Sequence, residues 1–211
     1  IKLSNYGMLS TRQIGDILFN GVAKTTVLRR LRLLENGHYL KRILGLESQE
    51  VLWVLTPKGA AAAEVEVPKR HWSKSMLEHD FRLLKLRLAL EGAGIARSWL
   101  PEHQIRADVF IRHGFRNSKD KHIPDGLMSV EVNRIHEPVV VEMELTMKEA
   151  KRYQHIFRRY EGKVGVHAIW YVAPNRTILQ QVLSSWLKVK KLYRVPELYL
   201  SYLDEVMADP R

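Results

Sequence analysis

Two runs, "PVVVEMEL" at 138–145 and "VHAIWYV" at 166–172, constrain the fold more than any other part of the chain. Each is apolar at successive rather than alternate positions, and strands of that kind lie inside a sheet that helices cover on both faces. The segment between them, from about Met147 to Glu161, has helical spacing. Strand, crossover helix and strand therefore follow one another, and the larger part of the chain belongs to the α/β class, with an α+β mixed sheet. The surrounding pattern agrees. A helix, "EHDFRLLKLRLALEGAG", carries Phe81, Leu84 and Leu88 on one stripe, and strand-like segments follow at "GIARSWL", "HQIRADVFI" and "IPDGLMSVEV". A second helix is expected from about Asn175 to Lys191, and "ELYLSYL" reads as the closing strand.

Two acids interrupt this apolar core. Successive strand side chains alternate, so Glu142 and Glu144 project from the same face. A buried, unpaired carboxylate costs several kcal/mol, so a compensating cation is expected. Asp125, in "KHIPDGLM", stands just before a glycine suited to a tight turn. It precedes Glu142 by 142 − 125 = 17 residues, room for a hairpin that returns beside its own start. Three carboxylates then meet at one end of the sheet. Such hard oxygen donors suit Mg2+ or Mn2+, which keeps positions for water and phosphate. Lys148 is within reach of Glu144 if the next helix starts there, and its ammonium can orient a water or neutralise a scissile phosphate. The competing reading is an edge strand whose two acids face water and pair with arginines.

Residues 1–70 are organised differently. Ser10 or Thr11 can cap a short helix that turns Ile14, Ile17 and Leu18 inward and ends at Gly21. A second helix is expected from about Ala23 to Asn36, stopped at Gly37. On it Val27, Leu28, Leu31 and Leu34 share an apolar face, and Thr25, Thr26, Arg29 and Arg32 project from the other. Two short β-rich runs, "HYLKRILGLE" and "EVLWVLT", follow, and "TPKG" can cap a further helix. Helix, turn, helix and hairpin is the order of a winged helix-turn-helix, whose second helix enters the DNA major groove. Lys24, Thr25, Thr26, Arg29, Arg30 and Arg32 are its candidate DNA contacts. A small helical domain that docks another protein is the competing reading.

Charge supports a polyanionic partner. The formal net charge is +11; residues 1–70 hold 11 basic and 6 acidic side chains (11 − 6 = +5), and residues 71–211 hold 23 and 17 (23 − 17 = +6). Both parts share the excess, and nucleic acid is the partner that such a field favours. No cysteine is present, which excludes disulfides, thiolate metal sites and a cysteine nucleophile. No apolar run approaches the roughly 20 residues that span a bilayer, so a cytoplasmic protein with no membrane association is expected. "EVEVPKRHWSKS", at 64–75, loses periodicity and reads as a linker. The expected domains are 1–70 and 71–211.

Pro124-Asp125, Glu142-x-Glu144 and Lys148, in an αβββαβ order, resemble the PD-(D/E)xK restriction-endonuclease-like superfamily. That superfamily has a lysine where this chain has Glu144, and Lys148 stands in for the displaced cation. Preceded by a winged helix-turn-helix, "EHDFRLL", "PDG" and "EMELTMKEAKRY" more closely resemble the replication-relaxation family, and within it the MOBC class of plasmid relaxases. The resemblance runs from about residue 8 to about residue 190. It implies a metal-dependent nickase that cuts one strand of plasmid DNA at a transfer origin to start conjugative mobilisation. Its partners would be double-stranded plasmid DNA and other relaxosome or coupling proteins. The resemblance places the metal-site acids on Asp125, Glu142 and Glu144, with Lys148 beside them. Other relaxases use a His-hydrophobic-His metal cluster, and no H-x-H occurs among the nine histidines. A catalytically inactive DNA-binding regulator and a double-strand endonuclease are the alternatives.

Further candidates surround this set. Lys148, Arg152, His155 and Arg159 fall on one helical stripe, and Arg152 and Arg159 are read as DNA-backbone contacts. Ala150, Tyr153, Phe157 and Tyr160 fall on the opposite stripe, so both tyrosines are assigned to packing rather than nucleophilic attack. Glu78, His79 and Asp80 are read as helix-start groups. Of the five tryptophans, Trp72 alone lies in the linker.

Overall fold

The structure, a computed structural model, describes residues 2–44, 50–65, 73–108, 122–162 and 165–210. The chain divides into two compact units, Ile1–Phe81 and Arg82–Arg211. The expected linker and Trp72 fall mostly on 66–72, outside the described residues.

The smaller unit opens with α1 (Lys2–Tyr6), β1 (Leu9–Ser10) and α2 (Thr11–Leu18), followed by α3 (Lys24–Asn36), β2 (Leu40–Ile43), β3 (Leu52–Leu55) and α4 (Pro57–Ala62). Local chemistry sets these boundaries. Ser10 Oγ accepts from the Gln13 backbone N–H at 3.3 Å, while the Gln13 side chain accepts from Ser10 N–H at 2.8 Å, a reciprocal cap on α2. Thr56 caps α4 by accepting from Gly59 N–H at 3.0 Å, with Pro57 in the first turn, where no N–H is needed. The three strands form an antiparallel sheet in the order β1-β3-β2. Its core gathers Leu9, Ile14, Val27, Leu31, Leu52 and Trp53, and the Trp53 indole donates to Thr11 Oγ1 at 2.9 Å. The apolar face of α3 is narrower than its sequence spacing suggests. Val27 and Leu31 are buried, whereas Leu34 is 43% exposed and Leu33 65%, because the helix continues a turn past this small core. Leu18, expected inward, is likewise exposed at the end of α2.

The larger unit contains most of α5 (Lys74–Gly92), then β4 (Ser98–Pro101), a helical segment α6 at 102–108, β5 (Gly126–Val132) and β6 (Ile135–Met143). It continues with α7 (Ala150–Arg158), β7 (Ala168–Ala173), α8 (Arg176–Lys190), β8 (Glu197–Tyr202) and α9 (Leu203–Ala208). The mixed sheet runs β4-β5-β6-β7-β8. The first two pairings are antiparallel and the last two parallel, with α7 and α8 as crossovers. The β5–β6 hairpin turns at Asn133 and Arg134, whose φ of 52° and 67° match the left-handed pair of a two-residue turn.

Both faces of the central strands are covered, which explains their unbroken hydrophobicity. Val140, Ile169 and Tyr171 pack with Tyr153, Ile156 and Phe157 of α7 and Ile178, Val182 and Trp186 of α8. Val139, Val141, Met143 and Val172 pack with Leu86 and Leu90 of α5 and Leu203 and Val206 of α9. Each such aliphatic side chain contributes about 1.5–3 kcal/mol when fully buried.

Four local expectations need correction. The first part of "HQIRADVFI" is helical, at 102–108, where polar and apolar positions fit a helical face as well as a strand; its last residues lie outside the described set. Helix α7 begins at Ala150 rather than near Met147, so Lys148 precedes it. The chain ends in α9 rather than in a strand. Gly126 is not a turn glycine. It is the first residue of β5 and lies under the Trp99 indole, where a Cβ would come within 2.5 Å of Cζ2.

Candidate acidic site at the end of the central strand

Strand register brings the acids together. Gly126 pairs with Val141, so Asp125, one residue earlier, stands opposite Glu142. Glu142 in turn pairs with Tyr171 across the parallel β6–β7 ladder, and Glu144 follows the end of β6 with its N–H donating to Val172 O at 2.9 Å. Glu142 and Glu144 are both buried, at 6% and 3% exposure, so the edge-strand reading of these acids does not hold. They face the α7 and α8 side of the sheet with Val140 and Tyr171, as strand alternation requires.

Each acid has a compensating partner. Asp125 Oδ2 accepts from Met143 N–H at 2.8 Å. Glu142 Oε1 faces His122 Nε2 at 2.5 Å and accepts from the Tyr160 hydroxyl at 3.0 Å. Glu144 Oε2 lies 2.5 Å from Lys148 Nζ. The lysine reaches it from the irregular segment before α7, held by its own N–H, which donates to the Tyr153 hydroxyl at 3.0 Å. Hydrogen bonds and ion pairs thus satisfy acids that burial would otherwise penalise.

The remaining balance still disfavours negative charge. Burial pushes Glu142 above the ordinary carboxylate range, against His122, which pulls it down, and Asp125 adds like-charge repulsion. Tyr153 is pushed up to about 12, first by burial and then by Glu144. Burial and the neighbouring carboxylates push Tyr160 and Tyr171 up as well. Among the described residues the buried Tyr171 hydroxyl has no hydrogen-bond partner, and it lies in the field of Glu142, Glu144 and Asp125. Among the described residues no group of three or more His, Asp or Glu side chains is placed so that it could hold a metal ion. His122 and Lys148 instead hold two of the acids.

Asp125 therefore stands opposite Glu142, and Lys148 contacts Glu144. The helical stripes also separate as expected. Tyr153, Phe157 and Tyr160 are buried, Arg152 and His155 are exposed, and Arg159 donates from Nε to His155 Nε2 at 3.2 Å. On α3, Lys24, Thr25, Arg29, Arg30 and Arg32 are exposed and Thr26 is half-buried. Thr25, Arg29 and Arg32 line a surface depression with Leu28, Leu33 and Asn36, while the Arg30 guanidinium sits 5.2 Å from the centre of the Phe19 ring. Sequence reasoning missed His122 and Tyr171. His122 lies in a loop with no periodicity to mark it, 125 − 122 = 3 residues before Asp125. Tyr171 is hidden in an apolar run until register pairs it with Glu142.

The fold and site define a two-unit protein with a small helix-and-sheet unit and a mixed α/β unit whose central strand ends in buried carboxylates held by His122 and Lys148. The chain belongs to the replication-relaxation family, whose model matches residues 2–177. No curated protein matches it. Two solved structures of the restriction endonuclease FokI, with and without DNA, are 13% identical to it, with TM-scores of 0.31 and 0.30. They cover 96% and 98% of this chain but 41% and 42% of their own, so the chain spans about two fifths of that enzyme's length. No helix among the described residues is long and apolar enough to cross a membrane.

Proposed function

We propose that this protein is a MOBC-class relaxase that nicks one strand of plasmid DNA at a transfer origin, using a restriction-endonuclease-like domain and a winged helix-turn-helix. The placement of Asp125 opposite Glu142 and of Lys148 against Glu144 at the end of β6, in a chain of the replication-relaxation family, carries this reading. Carboxylate oxygens are the donors that a hard divalent cation takes, although among the described residues the acids as they stand form no group that could hold a metal ion. Asp125, Glu142 and Glu144 would hold Mg2+ or Mn2+, which when bound stabilises charge on a phosphate and lowers the pKa of a coordinated water.

The chain's own groups supply the rest. The Lys148 ammonium, half-exposed beside Glu144, is the cation that can meet a phosphate oxygen from solvent. Water is the assigned nucleophile: its oxygen bonds to phosphorus, one ester oxygen leaves with a proton, and a single strand is broken. Tyr153 and Tyr160 are unsuited to attack because each is buried, hydrogen-bonded and shifted away from the phenolate. Arg152 and Arg159 on α7 supply charge for the DNA backbone, and the exposed Lys24, Thr25, Arg29, Arg30 and Arg32 of α3, with Thr26, face the duplex that the first unit selects.

A catalytically inactive DNA-binding regulator is the second reading. The existing pairing of Glu142 with His122 and of Glu144 with Lys148 favours it, since a purely structural network looks the same. Supercoiled plasmid bearing a cognate transfer origin, incubated with Mn2+, separates the two. Open circles from wild type but not from Asp125→Asn support the relaxase, and bound but intact supercoils support the regulator.

A further inference from the structure

The depression on α3 is lined by a single stripe of that helix: Thr25, Leu28, Arg29, Arg32, Leu33 and Asn36 recur at three- and four-residue spacing. The stripe faces away from the core of its unit. Two residues after the buried Leu31, Leu33 lies about 200° further round the helix, and 65% of it is exposed. A leucine so placed adds little to the core, and its apolar surface is available to a partner. Charge decides which kind of partner. Arg29 and Arg32, both exposed, flank Leu33 on the stripe, and the only acid in α3, Glu35, is turned to Arg42 of β2, 2.6 Å away. An apolar protein surface would take the two guanidinium groups out of water with no acid of α3 to pair them. A duplex instead supplies phosphates for both. The apolar group that the major groove then offers to Leu33 is the C5-methyl of thymine.

We infer that Leu33 reads a thymine methyl group and so fixes part of the sequence this protein selects, while Arg29 and Arg32 hold the backbone on either side. The inference rests on the reading of α3 as the helix that enters the major groove, and it adds to that helix a specificity residue without charge. From Thr25 to Asn36 the stripe is 36 − 25 = 11 residues long, about 16 Å at the helical rise, or about five base pairs of duplex. One methyl group taken out of water changes affinity about fourfold.

The test uses the full chain in EDTA, first to select duplexes from a pool whose randomised stretch is longer than that footprint. Each thymine of the selected duplex is then replaced in turn by deoxyuridine, which removes the C5-methyl and leaves base pairing intact. Fluorescence anisotropy measures the binding of wild type, Leu33→Ala and Arg29→Ala. The expected result is a thymine position at which deoxyuridine weakens wild type about fourfold and leaves Leu33→Ala unaffected. Arg29→Ala should bind every duplex more weakly and keep the deoxyuridine penalty. Leu33→Ala should melt with wild type, because its side chain is outside the core. A penalty that persists in Leu33→Ala, or a selected sequence with no sensitive thymine, overturns the inference and leaves α3 standing as the DNA-binding helix if Arg29→Ala binds weakly. A wild type that binds all duplexes alike overturns base reading by the stripe. A wild type that binds no duplex overturns the DNA reading of the first unit and the inference with it. A dimer seen by sedimentation that Leu33→Ala abolishes, with the selected sequence unchanged, assigns the leucine to a protein interface and also overturns the inference.

Discussion

Replacing Lys148 by methionine keeps the aliphatic stem and removes the ammonium that lies 2.5 Å from Glu144 Oε2. Removing one partner of a fully buried pair costs about 3–5 kcal/mol, and an exposed pair contributes about 0–1. This pair lies between: the Glu144 side chain is 4% exposed and that of Lys148 30%, so water can approach the lysine end only. About 2 kcal/mol of destabilisation is expected, a fall in Tm of roughly 4–8 °C for a chain of this size. The double variant Glu144→Gln/Lys148→Met removes the stranded charge and should recover most of that loss. Mn2+ should also do so in the single variant, because a divalent cation held by Glu144 replaces the missing charge; at 100 times its Kd a ligand adds about 2.7 kcal/mol. Differential scanning calorimetry with and without Mn2+ gives all the required values. A Lys148→Met protein as stable as wild type, or one whose Tm deficit Mn2+ leaves unchanged, would refute the reasoning that Lys148 and a metal ion compensate the same buried acid.

Glu142 makes the metal-free protein pH-sensitive in a defined direction. Its folded pKa lies above the ordinary 4.5, so its protonated form contributes stability that is complete below about pH 4.5 and lost as pH rises through the folded value. Glu142→Gln should therefore be more stable than wild type in EDTA at pH 7 and equal to it near pH 4, as urea titrations at the two pH values would show. Gly126→Ala drives a methyl against the Trp99 indole in strand β5, next to Asp125; overpacking of this kind costs about 1–3 kcal/mol, measurable as a lower urea midpoint. On α3, Arg29→Ala and Arg32→Ala should weaken DNA binding and lower the salt dependence by about one counterion each, as fluorescence anisotropy at several salt concentrations reports. Arg30→Ala should instead lower the stability of the first unit as well, because its guanidinium also covers Phe19.

The sequence made the central layer legible because both faces of β6 and β7 are covered, and double-sided burial leaves an unmistakable run of apolar residues. It also exposed Glu142 and Glu144, since charge inside such a run has no structural excuse. Asp125 is marked by its 17-residue distance from Glu142 and by the glycine after it, although that glycine opens β5 rather than forming a turn. Other features were set by tertiary context. Leu33 and Leu34 satisfy the helical pattern of α3, but the core beneath them ends too soon to bury them. The "HQIRADVFI" segment has no periodicity that separates helix from strand, and α6 at 102–108 took the helical option. His122 gains its meaning only from strand pairing: the loop that leads into β5 must pass the end of β6, and nothing in its neighbours records that. Lys148 was identified from the right distance for the wrong reason, since it reaches Glu144 from an irregular segment rather than from the first turn of α7.

The most direct test of the central claim is cleavage of a duplex carrying the transfer origin, each strand labelled at one end in turn, with Mn2+ or EDTA. Single-site cutting of one strand in Mn2+ alone, abolished by Glu144→Gln and by Asp125→Asn while both variants still bind the duplex, is the predicted result. Cutting that persists in both variants, or in EDTA, would contradict the assignment of the chemistry to the acids at the end of β6.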